Sequence, residues 1–165
     1  MSSQMEIPLA SKHTAVGPAD FSIRFAESAD ADALAELMTQ LGYETRSSEM
    51  KMRLETIQQN SRYRTFVAVE QGRVCGMIGT FCYYSYEHND PGGRIVALVV
   101  AKDSRGSGIG QKLVAAAEND FAQRNIRRVA VNARFERKDA HKFYERLGYT
   151  SNGFRFVKNL AAAAD

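Results

Sequence analysis

One uninterrupted passage, residues 94–121, constrains this chain more than any other. It begins RIVALVVA, continues KDSRGSG, and ends in a stretch with Ile109, Leu113, Ala117 and Phe121 on one face. An almost wholly apolar run of that length reads as a strand covered on both faces, the habit of a central strand in an α/β sheet. The apolar spacing beyond residue 109 is that of a helix. Between them lies a turn, Arg105-Gly106-Ser107-Gly108-Ile109-Gly110. Glycines there let backbone approach a ligand closely. The first amides of a helix lack partners and its dipole adds partial positive charge, which together suit a phosphate or pyrophosphate. Arg105 adds a cationic fork. The alternative is a tight strand-to-helix turn with no ligand.

Two familiar phosphate motifs fail on spacing. A nucleotide-binding loop of the form GxxxxGK followed by Ser or Thr needs its glycines one residue further apart than Gly106 and Gly110, and Lys112 is followed by Leu113. A dinucleotide fingerprint GxGxxG needs its third glycine where Gln111 stands. Neither nucleotide hydrolysis nor NAD binding is supported.

The rest of the chain supplies a frame for this unit. Phe21, Ile23 and Phe25 alternate with polar residues, as in a strand. Ser28 or Asp30 is placed to cap a helix with Leu34, Leu37, Met38 and Leu41 on one face, ended by Gly42. A second helix starts at Ser47, with Met50, Leu54 and Ile57 aligned. Thr65–Glu70 and Arg73 to about Tyr86 form a hairpin around Gln71-Gly72. Residues 87–93 (EHNDPGG) are turn formers. After the glycine turn and its helix come a strand at Arg127–Val131 and a short helix at Asp139–Leu147. Phe154 and Phe156 suggest a last strand. The order β-α-α-β-β-β-α-β-α-β implies a mixed α/β (α+β) sheet with helices on both faces.

Length and composition allow one such unit. The chain has 165 residues, 44% hydrophobic and 25% charged, which fits a single globular domain. Residues 1–20 hold two of the three prolines and read as a flexible tail. Residues 21–160 form the domain, and 161–165 read as a frayed end. No apolar run approaches the ~20 residues of a membrane span, and the N-terminus lacks the pattern of a signal peptide. The net charge of +3 comes from dispersed Lys and Arg, so nucleic acid is not an expected partner. The two cysteines, Cys75 and Cys82, are seven apart on one strand and so face opposite ways. No disulfide is expected, and a reducing cytoplasm is. The histidines at 13, 88 and 141 are scattered, so no metal site is expected.

The glycine turn also fits the pattern Gln/Arg-x-x-Gly-x-Gly/Ala through Arg105, Gly108 and Gly110. About thirty residues on, DAHKFYERLGY at 139–149 fits Ala-x-x-Phe-Tyr-x-x-x-Gly-Phe/Tyr. With these two signatures in this order, the chain resembles the Gcn5-related N-acetyltransferase (GNAT) superfamily over residues 21–158. Within it, DAHKFYERLGYTSNGFRFVKNL, with GMIG at 76–79 and LVVAKDSRG at 98–106, resembles bacterial aminoalkylphosphonate-type and other small-amine N-acetyltransferases.

The resemblance implies a GNAT fold and acetyl-CoA as cosubstrate. It implies that Arg105, Gly106, Ser107, Gly108, Ile109 and Gly110 grip the pyrophosphate. Leu98, Val99, Val100 and Ala101 would lie beside the pantetheine arm, with the Val99 amide on the acetyl carbonyl and Ala101 pairing with the pantetheine amides. Tyr144 would protonate the leaving thiolate, a role that suits a phenol protonated at neutral pH. Two departures are visible. Lys102 stands where the family often has proline. Ile95 stands where some members carry a glutamate base, so proton loss through ordered water is the expected route for the amine proton, with Glu87, His88 or Asp90 as candidate relays and a plain solvated turn as the alternative for those residues.

For the acceptor, the resemblance points to Tyr43, Glu44 and the group Tyr83, Tyr84, Tyr86, Glu87, His88 and Asp90, whose aromatic faces and carboxylates suit a cationic amine. A plain strand end with aromatics is the alternative. An anionic acceptor would draw on Arg134, Arg137 or Lys138. The expected function is acetyl transfer to the primary amine of a small molecule by direct attack in a ternary complex. The alternatives are a protein-amine acetyltransferase and an acyl-CoA-binding regulatory module without catalysis. A homodimer is expected at family level.

Overall fold

The computed structural model describes residues 21–160; the tail expected at 1–20 and the frayed end expected at 161–165 lie outside the described residues. The described elements are β1 (Phe21–Phe25), α1 (Ala31–Leu41), α2 (Ser47–Gln58), β2 (Tyr63–Glu70), β3 (Arg73–Tyr83), β4 (Gly92–Val100), α3 (Ile109–Gln123), β5 (Arg128–Val131) and α4 (Lys138–Arg146). The strands form one sheet in the order β1-β2-β3-β4-β5. The first three pairings are antiparallel, and β4–β5 is parallel. This is the mixed sheet that the hairpin and the crossover helix require.

The core joins α1 and α2 to the sheet through Leu34, Leu37 and Leu54, and α3 through Ile109, Leu113, Val114 and Ala117. Phe121 is buried under the start of β4, where a Cβ on Gly93 would come within 2.8 Å of its ring. Asp30 does not cap α1 with its side chain. Its carboxylate turns back to the Arg24 guanidinium, at 2.7 and 2.8 Å, and to the Glu27 amide.

Two departures from the sequence expectations matter for the site. The β4 strand is not covered throughout: Arg94 and Val96 are exposed. At Val96 the strand also carries a bulge. Ala97 lies opposite Gly79 and Ile95 opposite Thr80, so Val96 has no partner on β3. A bulge bends its strand. Pairing between β4 and β5 runs only from Gly92/Arg128 to Ile95/Val131, and the strands separate beyond it.

The expected last strand is the second departure. Residues 150–160 carry no regular structure, and Phe154, Phe156, Val157 and Leu160 are all exposed. The alternation that suggested a strand finds no partner here, and β5 keeps an open edge beside a groove of about 740 Å³ lined by Val129, Val131, Leu147 and Tyr149.

Candidate active site

The parting of β4 from β5 leaves main-chain groups of β4 without a strand partner on that side. Which amides are free follows from the register. Ala101 donates its N–H to Cys75 O at 2.8 Å, so Ala101 faces β3. Residues alternate along an antiparallel ladder, so Val99 faces β3 as well, opposite Met77. Leu98 and Val100 face the gap. Arg105 agrees with this, since its Nε donates to the outward carbonyl of Val100 at 3.0 Å. The amides available to a ligand in the gap are therefore those of Leu98 and Val100. The Val99 and Ala101 amides, given ligand roles by the resemblance, are turned to β3 and not to the gap. Sequence reasoning missed this because one residue of register decides it.

The glycine turn stands at the end of this gap. Gly106 and Gly108 have φ of +79° and +85°, a left-handed conformation that side chains resist. They turn the chain so that α3 starts at Ile109, and the first intrahelical bond runs from Lys112 N to Gly108 O. The amides of Ile109, Gly110 and Gln111 therefore have no helical acceptor, which is the arrangement that receives an anion. Ser107 Oγ donates to Ser104 O at 2.6 Å and braces the turn. Arg105 is exposed, and its Nε is engaged with the strand, leaving its remaining N–H groups for a phosphate.

Helix α4 closes the gap on the β5 side. The Phe143 ring would lie 3.4 Å from a Cβ on Gly110, so Phe143 packs beside the glycine turn. The Tyr144 ring packs edge-on to Phe143 and Tyr149, with centroids 5.1 and 5.5 Å away. Burial pushes the Tyr144 phenol up to about 12. Its hydroxyl has no side-chain partner among the described residues, and the raised value keeps it protonated at neutral pH. Tyr149 anchors the end of α4 by donating from its hydroxyl to Glu118 Oε1 on α3 at 2.8 Å.

The acceptor candidates divide. Tyr84, Tyr86, Glu87 and His88 lie in the loop that precedes β4, at the end opposite the glycine turn. Gly92 and Leu98 are six residues apart on the strand, or roughly 20 Å at ~3.3 Å per residue. Tyr84 stacks with Arg62, and Asp90 pairs with Arg128 at 3.0 Å. The structure does not bring this group to the free amides of β4. Tyr43 is different. It follows α1, and Arg134 from the β5–α4 loop donates to its hydroxyl at 3.0 Å. One turn earlier, Gln40 Oε1 accepts from Lys102 N at 2.9 Å, so α1 touches both sides of the gap. Among the described residues no group of three or more His, Cys, Asp or Glu side chains is arranged to hold a metal ion.

Residues 31–149 match the Acetyltransferase (GNAT) family. The chain belongs to that family. Among relatives of this GNAT chain, the aminoalkylphosphonate N-acetyltransferase of Salmonella typhimurium is 38% identical over 101 residues, 61% of this chain and 64% of that protein. The matched stretch thus spans less than two-thirds of that relative. An uncharacterized N-acetyltransferase of Bacillus subtilis is 29% identical over 129 residues, 76% of this chain and 85% of that one. A crystal structure of a GNAT family acetyltransferase from Staphylococcus aureus superposes with a TM-score of 0.74 at 26% identity, covering 85% of this chain and 98% of that one.

Proposed function

We propose that this GNAT chain transfers an acetyl group from acetyl-CoA to the primary amine of a small molecule, by direct attack in a ternary complex. The observation that carries the reading is the bulged β4, whose outward amides at Leu98 and Val100 open beside the glycine-turned start of α3. A pyrophosphate on the α3 amides and Arg105 leaves the pantetheine arm to run along β4 as an added strand. The Leu98 amide would then donate to the acetyl carbonyl, where developing charge makes one such donor worth about 2.7–4 kcal/mol. The amine nitrogen attacks the carbonyl carbon and the C–S bond breaks. Tyr144 gives its proton to the thiolate, and the amine proton leaves to water.

No carboxylate stands on β4, and the sequence candidates for a relay are remote from the gap. That favours an amine arriving already neutral, or deprotonated by solvent. It also supports the rival reading, an acyl-CoA-binding module without turnover. An aminoalkylphosphonate is one candidate acceptor, on the likeness to the Salmonella relative. The homodimer, a family-level expectation, and the cytoplasmic location, expected from the cysteine pattern, travel with this reading.

The test is thiol release from acetyl-CoA against a panel of small primary amines, with Tyr144→Phe run in parallel. The expected result is release driven by an amine, with kcat falling roughly 100-fold in the variant while acetyl-CoA still binds. Tight acetyl-CoA binding with no amine-driven release would replace this reading with the binding module.

A further inference from the structure

We propose that Arg134, held by Tyr43 and His141, is the binding site for an anionic group on the acceptor, so that the preferred substrate is a small amine carrying a phosphonate, phosphate or carboxylate. The proposal rests on the acetyltransferase reading and names its substrate class.

Three observations converge. First, the position is defined by the sheet. Leu98 and Arg134 each stand three residues beyond Ile95 and Val131, the last pair joining β4 to β5. Both thus lie past the paired stretch, on the side where β4 and β5 part. Tyr43 reaches Arg134 from just beyond α1, and Gln40 at the end of α1 accepts from Lys102, so the segment from Gln40 to Tyr43 joins the chain past the end of β4 to the chain past the end of β5.

Second, Arg134 is held at both ends. Its guanidinium carbon lies 5.4 Å from the Tyr43 ring centroid while Nη2 donates to the Tyr43 hydroxyl. Its backbone carbonyl can only accept, so His141 Nε2, 2.9 Å away, carries the hydrogen and donates to it. An exposed arginine without such contacts would forfeit rotamer freedom on binding; this one has lost much of it already.

Third, its charge is unspent. Arg137, three residues on, is paired with Asp139 at 3.2 Å, and Arg128 is paired with Asp90. Arg134 makes no ion pair among the described residues. A guanidinium has five N–H donors in a planar fork. One is used on Tyr43, and the others remain to meet an oxyanion in the paired geometry that phosphonates and carboxylates offer.

The experiment compares 2-aminoethylphosphonate with its neutral diethyl ester as acceptors for wild type, Arg134→Ala, Arg134→Lys and Tyr43→Phe. Titration calorimetry of 2-aminoethylphosphonate into the CoA-loaded protein runs beside it. Arg134 is exposed, and a thermal melt confirms that each variant folds. The expected result is a KM for the phosphonate raised roughly 10- to 100-fold in Arg134→Ala, with kcat and the ester's KM little changed. Arg134→Lys and Tyr43→Phe should fall between. If wild type acetylates amines but Arg134→Ala shifts both acceptors alike, or neither, the anion site is refuted and the acetyltransferase reading stands. If wild type acetylates nothing yet binds the phosphonate in an Arg134-dependent way, the anion site stands and the acetyltransferase reading falls. If there is neither turnover nor Arg134-dependent binding, both fall.

Discussion

A phenol raised to about 12 keeps its proton across the whole working range of an enzyme. Tyr144 therefore cannot act as a base near neutrality, and it does not titrate where rates are measured. The expected outcome is that the pH profile of kcat/KM between pH 6 and 10 has the same shape in wild type and Tyr144→Phe, displaced downward. A limb lost in the variant would mean that Tyr144 ionises in that range. Asp30 makes a complementary case. The Arg24 guanidinium, helped by the Glu27 amide, holds its carboxyl below the usual carboxylate value. The stability it contributes is complete above the unfolded pKa of about 3.9 and is lost as pH falls through the lower, folded value. Denaturant melts at pH 6 and pH 3 should show wild type losing more stability than Asp30→Asn over that interval. The thiols separate in a similar way: Cys75 is buried and Cys82 is half-buried. A thiol reagent should titrate Cys82 in the native protein, and Cys75 only after unfolding.

At the scale of elements, β4 does two jobs, and its two halves are built differently. The first half is packed. Gly93 admits the Phe121 ring where a Cβ would fall 2.8 Å away, so Gly93→Ala should cost about 1–3 kcal/mol through overpacking, read by chemical denaturation. The second half is opened by the Val96 bulge. Deleting Val96 would restore one-to-one pairing with β3 and remove the bend. The expected product is a folded chain that has lost affinity for acetyl-CoA, detected by calorimetry beside a circular dichroism spectrum. Two turns before Phe121 on the same helix α3, Leu113 is completely buried against Gly76. Leu113→Ala should cost about 2–5 kcal/mol without changing KM.

For the whole molecule, the order of elements was legible in the sequence because each rests on local patterns. Apolar residues recur at helix or strand spacing, and Gly42, Gly72 and Gly148 mark their ends. The glycine turn was legible for a further reason: a left-handed backbone requires glycine at Gly106 and Gly108. The last strand was misread because alternation at Phe154 and Phe156 reports a preference, and pairing needs a partner that residues 150–160 do not have here. The same limit applies at the site. Which amides of β4 face the gap depends on a bulge opposite Gly79 and Thr80, and no residue type announces a bulge. The resemblance grouped the aromatics near residue 86 with the acceptor, but they precede β4 and lie at its far end from the glycine turn. The sequence could not pair Tyr43 with Arg134, which are 91 residues apart. Local chemistry wrote the turn, the helices and the FY pair into the sequence. Register and loop approach, which depend on packing between distant segments, were decided by the tertiary structure alone.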